Sequence, residues 1–384
     1  MELETLLSRI SDNTSIFDTY GASHFPIYQS GTFDLKKQSG ENKYDYSRSG
    51  NPTRSVLEEI FAKAESGVNC VCTNTGVAAI ALLFETVLKT GDNVLTEIDL
   101  YGGTNRILNI ISEKYAISSS RVDLTNFEEV ETLLKMGSYK LVFCESPTNP
   151  GMKMVDIMEL SNLCKKYSVL LAVDNSLATF ASQKPLELGA DFSVFSATKF
   201  ISGHGATISG AVINKDSRWT EQLRYLANAE GRTQSPFEVF LLTLGLPTLV
   251  VRMKQQEATA LSIAGYLSSS DKVKKVSFPF LPDHPRYDLA KRQMKICPAV
   301  MTIDLYSEAH AEQFIQRLKL FGEKASFGNY DSRAEQPSKI SHASYTEEQL
   351  RVVGITKSTV RLSIGLESLS DLLADIQRVL DSLV

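Results

Sequence analysis

Hydrophobic residues in the middle of the chain recur with two periods, one typical of helices and one typical of buried strands, and the two alternate. The helical period starts at Pro52, a residue suited to the first turn of a helix. The predicted helices are 52–67, 76–89, 105–115 and 157–167. The predicted strands are 68–73, 93–96, 141–145, 169–174, 192–195 and 206–213. Strands separated by helices indicate a mostly parallel sheet covered on both faces, with its ligand site at the carboxyl ends of the strands.

The segments on either side of this alternation differ from it. Residues 1–50 are polar and rich in turn formers, which predicts an extended N-terminal arm that packs against another surface. The pattern then predicts a large domain over 51–235, followed by a connecting helix and C-terminal domain over 236–384. Within that last part, a long helical region is expected from 236 to about 267 and a smaller α/β unit from 273 onward. A length of 384 residues also favours two domains.

Composition excludes some classes of partner. Hydrophobic residues make up 43% of the chain and charged residues 22%, ordinary values for a globular protein. The net charge of -5 gives no electrostatic reason to expect nucleic acid or an anionic membrane as a partner. No stretch reaches the ~18 apolar residues of a membrane span, and the first residues lack a signal-peptide pattern. We therefore expect a cytoplasmic protein with no nucleic-acid or membrane partner.

The cysteines and histidines do not predict a metal site. The five cysteines are odd in number and scattered, which is unlike a disulfide framework. Cys70 and Cys72 share an apolar stretch with no second ligand pair after them, so they are interpreted as buried thiols in a strand. None of the five histidines has a second metal-binding residue at ligand spacing.

Two apolar runs of the predicted sheet end in polar residues that suit one cofactor. One run ends in Asp174, so a buried strand delivers a carboxylate to the ligand edge of the sheet. The other, Phe192 to Phe195, leads into Ser196, Thr198 and Lys199. An amine for a Schiff base, two hydroxyls for a phosphate and an acid for a pyridinium nitrogen are the parts that a pyridoxal phosphate (PLP) enzyme needs.

Taken singly, these residues also have simpler interpretations. A lone lysine is most often a solvated surface charge, and an aspartate at a strand end is often a cap for the following turn. Thr75, Gly76 and Val77 open a predicted helix, where free backbone N–H groups favour an anion, yet they also fit a plain glycine turn. On the residues alone these alternatives stay open.

Six ordered segments together carry a resemblance to a known family. They are 46–53, 75–80, 101–104, 145–150, 193–205 and 361–367. Through them the chain resembles, over nearly its whole length, the Cys/Met metabolism family of PLP enzymes, and it looks most like a cystathionine γ-synthase. The resemblance implies the PLP-dependent aminotransferase-like fold (fold type I), with a large domain on a mostly parallel sheet and a smaller C-terminal α/β domain. It also implies PLP as cofactor and a homotetramer, a dimer of dimers that share active sites.

The same resemblance assigns the residues that contact the cofactor. Lys199 holds PLP covalently and then serves as the general base, while Asp174 keeps the pyridine nitrogen protonated. The residues implied to bind the phosphate are Gly76, Val77, Ser196 and Thr198, with Tyr46 and Arg48 reaching in from the neighbouring subunit. The arm of residues 1–50 is thus expected to serve the neighbouring active site, and 51–235 to bind PLP.

Other residues are implied to contact the substrate. Tyr101 is expected to stack on the cofactor ring and to help as an acid or base near the leaving group. Arg361 is expected to clamp the substrate α-carboxylate, helped by Asn149 and Ser326. Gly103 stands where methionine γ-lyases commonly have cysteine, which argues against that activity.

The chain departs from its relatives at two places. Residues 203–206 read Gly-His-Gly-Ala, where many synthases and lyases of the family have Gly-His-Ser-Asp, and sulfhydrylases often lack that acid too. Residues 235–237 also resemble the sulfhydrylase branch. In the segment 326–332, Asn329 adds bulk and Asp331 replaces a glutamate, so an unusual specificity is expected.

These observations predict γ-replacement or γ-elimination on a homoserine ester or a sulfur amino acid, in methionine and cysteine metabolism. The expected partners are a small amino-acid substrate and a thiol co-substrate. The alternatives are an O-acetyl- or O-succinylhomoserine sulfhydrylase and a cystathionine γ- or β-lyase. A nucleotide-binding oxidoreductase is disfavoured because no Gly-x-Gly-x-x-Gly turn follows the first strand. A protein that keeps PLP without turnover is disfavoured by the intact Lys199, Tyr101 and Arg361. The leaving group and the nucleophile stay open.

Overall fold

A computed structural model describes residues 1–16, 20–39, 43–343 and 345–383. The described chain contains a seven-stranded sheet in its first part and a five-stranded sheet in its second part. We call these parts the large domain and the C-terminal domain. This arrangement confirms the predicted α/β fold with a smaller second unit, while the boundaries at 50 and 235 stay predictions.

The large sheet has the strand order β1-β7-β6-β5-β4-β2-β3. Neighbouring strands from β6 to β3 in this order are parallel, and β7 is antiparallel to both β1 and β6. The sheet is therefore mostly parallel, as predicted. The strands are β1 Asn69–Thr73, β2 Asn93–Glu97, β3 Ser118–Val122, β4 Tyr139–Glu145, β5 Leu170–Asp174, β6 Phe192–Phe195 and β7 Gly210–Asn214.

Helices cover both faces of this sheet. Along β4, Leu141 and Phe143 join one apolar cluster, whereas Val142 and Cys144 join another. Because successive side chains of a strand point to opposite faces, the two clusters lie on opposite sides of the sheet. The helices of this part are α1 Leu3–Ser8, α2 Pro52–Glu65, α3 Gly76–Val87, α4 Gly102–Tyr115, α5 Phe127–Met136, α6 Ile157–Lys166, α7 Thr179–Ser182 and α8 Thr220–Ala229.

Most predicted elements of the large domain are present, and one strand boundary was wrong. Strand β7 begins at Gly210 and not at 206, because its neighbours end there: Gly210 lies opposite Thr73 of β1, and Ala211 lies opposite Phe195 of β6. Residues 206–209 have no adjacent strand with which to pair. Strand β3 and helices α1, α5, α7 and α8 were not predicted, and α1 lies in the arm that was expected to be extended.

The region predicted as one long helix consists of two helices. Helix α9, Pro236–Thr243, is separated from helix α10, Leu249–Ser268, by a turn that contains Gly245 and Pro247. Pro247 lacks an N–H and its ring clashes with the carbonyl of the preceding helical turn, so the helix cannot run through it. The break turns α10 toward the segment that contains Lys199, which Gly245 contacts through the backbone of Ser202.

The C-terminal domain is built on a sheet with the order β10-β11-β12-β9-β8. Its core is continuous with the apolar cluster beneath α2, α9 and α10. The strands are β8 Lys275–Ser277, β9 Val300–Asp304, β10 Gly322–Glu323, β11 Arg333–Glu335 and β12 Thr359–Ser363. The helices are α11 Tyr287–Gln293, α12 Glu308–Arg317, α13 Glu347–Val352 and α14 Leu369–Asp381.

All five cysteines are buried free thiols. In the part of the chain that the structure describes, no group of three or more His, Cys, Asp or Glu residues could hold a metal ion. Among the same residues, no helix has both the length and the apolar character needed to cross a membrane.

The N-terminal arm is joined to the large domain at Asn51, the N-cap of α2. The Asn51 side chain accepts a hydrogen bond from the backbone N–H of Thr53 at 3.0 Å and donates one to the carbonyl of Tyr28 at 2.9 Å. The hydroxyl of Thr53 in turn accepts from the N–H of Tyr28 at 2.8 Å. One fully buried amide therefore both starts the helix and fixes the arm.

We expect Asn51→Ala to lower the free energy of unfolding by about 1 to 2 kcal/mol, since a helix cap and a bond to the arm are lost together. Chemical denaturation of the purified protein measures this value. Asn126→Ala is the matched control. The Asn126 side chain caps α5 by accepting the N–H of Glu129, and it makes no bond to the arm. Equal losses for the two variants would contradict the additional role of Asn51.

Candidate active site

A cleft of about 490 Å³ opens at the carboxyl ends of the central parallel strands. Strands β4 and β5 end in Glu145 and Asp174, and β6 leads directly into Ser196. The C-terminal domain closes the cleft from the other side with residues of the loop before β11 and of β12. Every residue predicted for the site lines this cleft, except Tyr46 and Arg48.

Lys199 lies where the large domain meets the C-terminal domain. Its Nζ donates a hydrogen bond to Ser326 Oγ at 2.8 Å and lies 5.0 Å from the centre of the Phe327 ring. Removal from water, followed by the positive charges of Arg361 and Arg333, lowers the pKa of Lys199 to about 8. About a tenth of this amine is therefore neutral at pH 7, far more than for an ordinary lysine, and the neutral form is what a nucleophile or a general base requires.

Asp174 is one of three buried carboxyls at the ends of adjacent strands, with Glu145 on β4 and Glu97 on β2. It lies opposite Glu145 in the register of β5 and β4, and it accepts a hydrogen bond from the N–H of Ser176 at 2.9 Å. Burial raises the pKa of Asp174. Burial and then the Asp174 charge raise the pKa of Glu145 well above its ordinary range. A cation beside Asp174, such as a protonated ring nitrogen, would stabilise its carboxylate.

Glu145 also fixes the residue from which Tyr101 extends, because its Oε1 accepts the N–H of Tyr101 at 2.8 Å. The Tyr101 ring lies over the start of α4, where a Cβ on Gly103 would be 2.2 Å from a ring carbon. Gly103 is therefore a packing requirement of this ring position. A cysteine at this position would displace the ring.

The start of α3 lies against the turn that contains Ser196 and Thr198. Thr75 caps this helix by accepting the N–H of Ala78 at 3.0 Å, and a Cβ on Gly76 would lie 2.6 Å from the Cβ of Ser196. The hydroxyls of Thr198 and Ser196 donate to the carbonyl of Ser209, at 3.2 Å and 3.5 Å. A helix N-terminus and two hydroxyls in contact form a suitable place for a phosphate.

Arg361 lies in the wall of the cleft on β12. Its Nη1 donates to Asn149 Oδ1 at 3.1 Å, and its Nη2 donates to the carbonyl of Ser326 at 2.8 Å. The same Nη2 is 3.1 Å from Glu335 Oε2. Its Nε has no hydrogen-bond partner among the described residues, so the buried guanidinium keeps a free donor for an incoming carboxylate.

Tyr46 and Arg48 are not brought to the cleft of their own chain. Tyr46 is 47% exposed. Arg48 donates to Asn228 Oδ1 at 3.1 Å, and its guanidinium is 5.2 Å from the centre of the Tyr46 ring. Their predicted contact with the phosphate of a neighbouring subunit stays a prediction.

The chain departs from its relatives in the segments 326–332 and 203–206. Of these residues, only Ser326 and Phe327 line the cleft. Asn329 is buried, with its amide near Gly205. Asp331 pairs with Lys324 at 3.0 Å and with Arg333 at 2.9 Å. The structure therefore gives no direct contact through which Asn329 or Asp331 would alter specificity.

Sequence reasoning did not assign a role to several residues of the cleft. Glu145 ends a predicted strand, just as Asp174 does, and this shared position is a signal that could have identified Glu145 as a site residue. Arg106 lines the cleft from α4, one helical turn after Gly103, and its side chain makes no hydrogen bond or ion pair with the described residues. The others are Ser176, Phe327, Glu335 and Ser341.

These groups fit PLP. The cleft combines an amine of lowered pKa, a buried carboxylate at a strand end and a helix N-terminus flanked by hydroxyls. Lys199 would hold the aldehyde, Asp174 the ring nitrogen, and the start of α3 with Ser196 and Thr198 the phosphate. Arg361, which has an unpaired Nε, would hold the carboxylate of an amino acid.

Comparison with known proteins gives one consistent family. The profile described as Cys/Met metabolism PLP-dependent enzyme matches residues 5–381. The chain is 35% identical over 363 residues to the cystathionine beta-lyase of Lactococcus lactis subsp. cremoris (strain MG1363), covering 94% of this chain and 95% of that protein. It is 38% identical over 357 residues to the cystathionine gamma-lyase of Bos taurus, covering 92% of this chain and 88% of that protein.

A solved structure shows the same fold. The cystathionine gamma synthase from Xanthomonas oryzae pv. oryzae, crystallised in complex with aminoacrylate and cysteine, is 37% identical to this chain. The two superpose with a TM-score of 0.95 over 99% of this chain and 98% of that one. This similarity confirms the predicted fold type I architecture.

We expect the rate at which the apoprotein captures PLP to rise with pH and to reach half its maximum near pH 8, because only the neutral amine of Lys199 attacks an aldehyde. The lowered pKa sets the sign: below pH 8 the amine is protonated and the rate falls about tenfold per pH unit. Stopped-flow absorbance after mixing with PLP measures it. Lys199→Ala should show no capture. A rate still rising steeply toward 10.5, the ordinary lysine value, would contradict the expectation.

Proposed function

The chain belongs to the Cys/Met metabolism family of PLP-dependent enzymes, and from this premise we propose that it breaks or forms the carbon–sulfur bond at Cγ of a cystathionine-type amino acid. The observation that carries the proposal is one cleft that contains the Lys199 amine, the Asp174 carboxylate and the free donor of Arg361. The first two groups serve the cofactor, and the third serves an amino-acid substrate.

Substrate orientation is the proposed task of Arg361 and Asn149. Arg361 would bind the α-carboxylate through its free Nε, while Asn149 holds the other side of the guanidinium. A carboxylate fixed at Arg361 places Cα near Lys199, since Ser326 contacts both Arg361 and Lys199. Positioning of this kind supplies much of the barrier reduction in reactions of bound substrates.

Lys199 is the proposed proton carrier. Bound PLP supplies an electron sink for the bonds at Cα, and Asp174 maintains it by keeping the ring nitrogen protonated. With a pKa lowered to about 8, the Lys199 amine would take the proton from Cα, release it to the bound cofactor and, neutral again, take one from Cβ. The Ser326 hydroxyl accepts a hydrogen bond from this amine and so directs it toward the substrate side. Tyr101 is the proposed acid near the leaving sulfur.

A charged distal end of the substrate is favoured by Arg106. This guanidinium lines the cleft and makes no ion pair with the described residues. The second amino-acid group of cystathionine carries a carboxylate that a guanidinium can bind, whereas the methyl group of methionine does not. Residues 235–237, which resemble the sulfhydrylase branch, form the cap and first turn of α9 outside the cleft lining.

Cleavage at Cβ is the second candidate function. Its support is the similarity to cystathionine beta-lyases, which extends over 94% of this chain for the Lactococcus lactis protein. The residues proposed for Cα proton removal serve both reactions, and the products distinguish them.

The N-terminal arm is proposed to complete the site of a second copy in a homotetramer, a dimer of dimers. Arg48 lies outside the cleft of its own chain, and the arm exposes Tyr20, Leu35 and Tyr28 to 93%, 51% and 38%. Burying these side chains against another subunit would stabilise the assembly and deliver Arg48 to a phosphate. A cytoplasmic location is also proposed; five buried free thiols suit its reducing conditions.

We expect Lys199→Ala to lower turnover by at least about a thousandfold and to leave no lysine adduct after borohydride reduction. Mass spectrometry of the products identifies the reaction. Cystathionine yields 2-oxobutyrate by Cγ–S cleavage and pyruvate by Cβ–S cleavage, while a homoserine ester with cysteine or with sulfide tests the synthase and sulfhydrylase reactions. Lys166→Ala, an exposed lysine on α6, is the control. A fully active Lys199→Ala protein would exclude the mechanism.

We expect subunit mixing to reveal the shared site. Arg48→Glu and Lys199→Ala proteins should each be inactive, but dissociating and reassembling them together should restore about a quarter of the normal activity, because half of the hybrid sites contain both intact residues. The same treatment of either variant alone is the control. If the mixture stays as inactive as the separate variants, Arg48 does not act across subunits.

A further inference from the structure

Helix α10 contacts the turn that contains Lys199 through a buried arginine. Arg252 is 7% exposed. Its Nη1 donates to the carbonyl of Phe200 at 2.8 Å, and its Nη2 donates to the carbonyls of Ile201 at 3.3 Å and Gly245 at 2.9 Å. Phe200 and Ile201 directly follow Lys199 in the chain. One guanidinium thus joins the lysine turn to the break between α9 and α10.

This arginine is not part of an ion pair. No carboxylate of the described residues lies within 4 Å of its guanidinium nitrogens, and its Nε donates to the hydroxyl of Thr248 at 3.1 Å. Burial lowers the pKa of Arg252 to about 10, so the group stays charged at neutral pH. A buried cation that binds only carbonyls and a hydroxyl is unfavourable for stability unless the geometry of those bonds is needed.

Two glycines make room for this contact. Gly203 has a φ of +66°, and a Cβ there would lie 1.9 Å from Arg252 Nη1. A Cβ on Gly245 would lie 2.2 Å from the carbonyl oxygen of Ser202. Gly203 N–H also donates to the carbonyl of Lys199 at 2.8 Å, which closes the turn. The lysine turn therefore lies directly against the Arg252 guanidinium and against the backbone of the break between α9 and α10.

The next turn of α10 holds the substrate side of the cleft. Gln256 is four residues after Arg252, so the two side chains lie on one face of the helix. Its Nε2 donates to the carbonyl of Asn329 at 2.8 Å and to that of Ile364 at 3.1 Å. Asn329 belongs to the loop that contains Ser326, and Ile364 follows β12, which contains Arg361.

We infer that Arg252 and Gln256 are positioning residues that set the Lys199 amine against the Ser326 and Arg361 side of the cleft. The hydrogen bond from Lys199 to Ser326 crosses between the two domains, and each end of it is held by one of these α10 side chains. Neither residue touches the cleft, so neither is catalytic. The inference rests on the proposed function, because it assigns each residue to one half of that site.

The test separates cofactor effects from substrate effects in three variants of the holoenzyme. Arg252→Met should raise the dissociation constant for PLP and lower kcat by about tenfold each, and should shift the pH midpoint of the bound-cofactor absorbance, with KM changed less than about twofold. Gln256→Met should raise KM by about tenfold and leave the absorbance midpoint and PLP affinity unchanged. Ile263→Ala, a fully buried change elsewhere on α10, should lower Tm without either effect.

Arg252→Lys keeps the charge but not the planar fork, so it should behave like Arg252→Met. Full recovery in Arg252→Lys would mean that only a charge is needed and would overturn the role of the carbonyl bonds. If Arg252→Met does not fold, Arg252→Lys and Gly203→Ala should show the same loss of PLP affinity and the same absorbance shift.

The inference is overturned if the wild-type enzyme is active and Arg252→Met and Gln256→Met, compared at equal loss of Tm, have the same kcat, KM and PLP affinity as Ile263→Ala. It is also overturned if Arg252→Met and Gln256→Met change kcat and KM in the same way. A wild-type protein without PLP absorbance or turnover would instead remove the proposed function, which distinguishes the two failures.

Discussion

The site depends on the removal of one amine from water beside two positive charges. Lys199 loses most of its affinity for a proton because the cleft excludes water and because Arg361 and Arg333 lie nearby. Burial has the opposite effect on Asp174: it raises the pKa of this carboxyl, and a cation beside it would stabilise the ionised form. The two groups are therefore complementary to one ligand, which joins a carbonyl carbon to a basic ring nitrogen. The surrounding fold keeps both of them from bulk solvent.

The parallel sheet accounts for this exclusion of water. Strands β4, β5 and β6 end at the same edge, so the groups that follow them are packed side by side. The register that sets Glu145 opposite Asp174 follows from hydrogen bonds along the strands and not from any attraction between two acids. Backbone pairing thereby imposes a pair of carboxyls that would repel each other in water, and the raised pKa of Glu145 relieves that repulsion by favouring its protonated form.

Local patterns predicted the parts of this protein that depend on local chemistry. Apolar runs located β5 and β6, and the motif residues around Lys199 and Arg361 meet in one cleft as expected. The start of β7 was wrong because a strand ends where its neighbours end, a property that one segment does not encode. Arg252 and Gln256 were missed because their partners are backbone carbonyls, which leave no pattern in side-chain types. The contact of Arg48 with a neighbouring subunit stays a prediction, because within its own chain Arg48 bonds to Asn228 outside the cleft.

Ser326 adopts a left-handed backbone conformation, with a φ of +82°, which is unfavourable for a residue other than glycine. Its carbonyl accepts a hydrogen bond from Arg361 and its hydroxyl accepts one from Lys199, so this one residue contacts both side chains. Ser326 is therefore a common neighbour of the guanidinium and the nucleophile, so a substitution that relaxes its backbone would alter both contacts together.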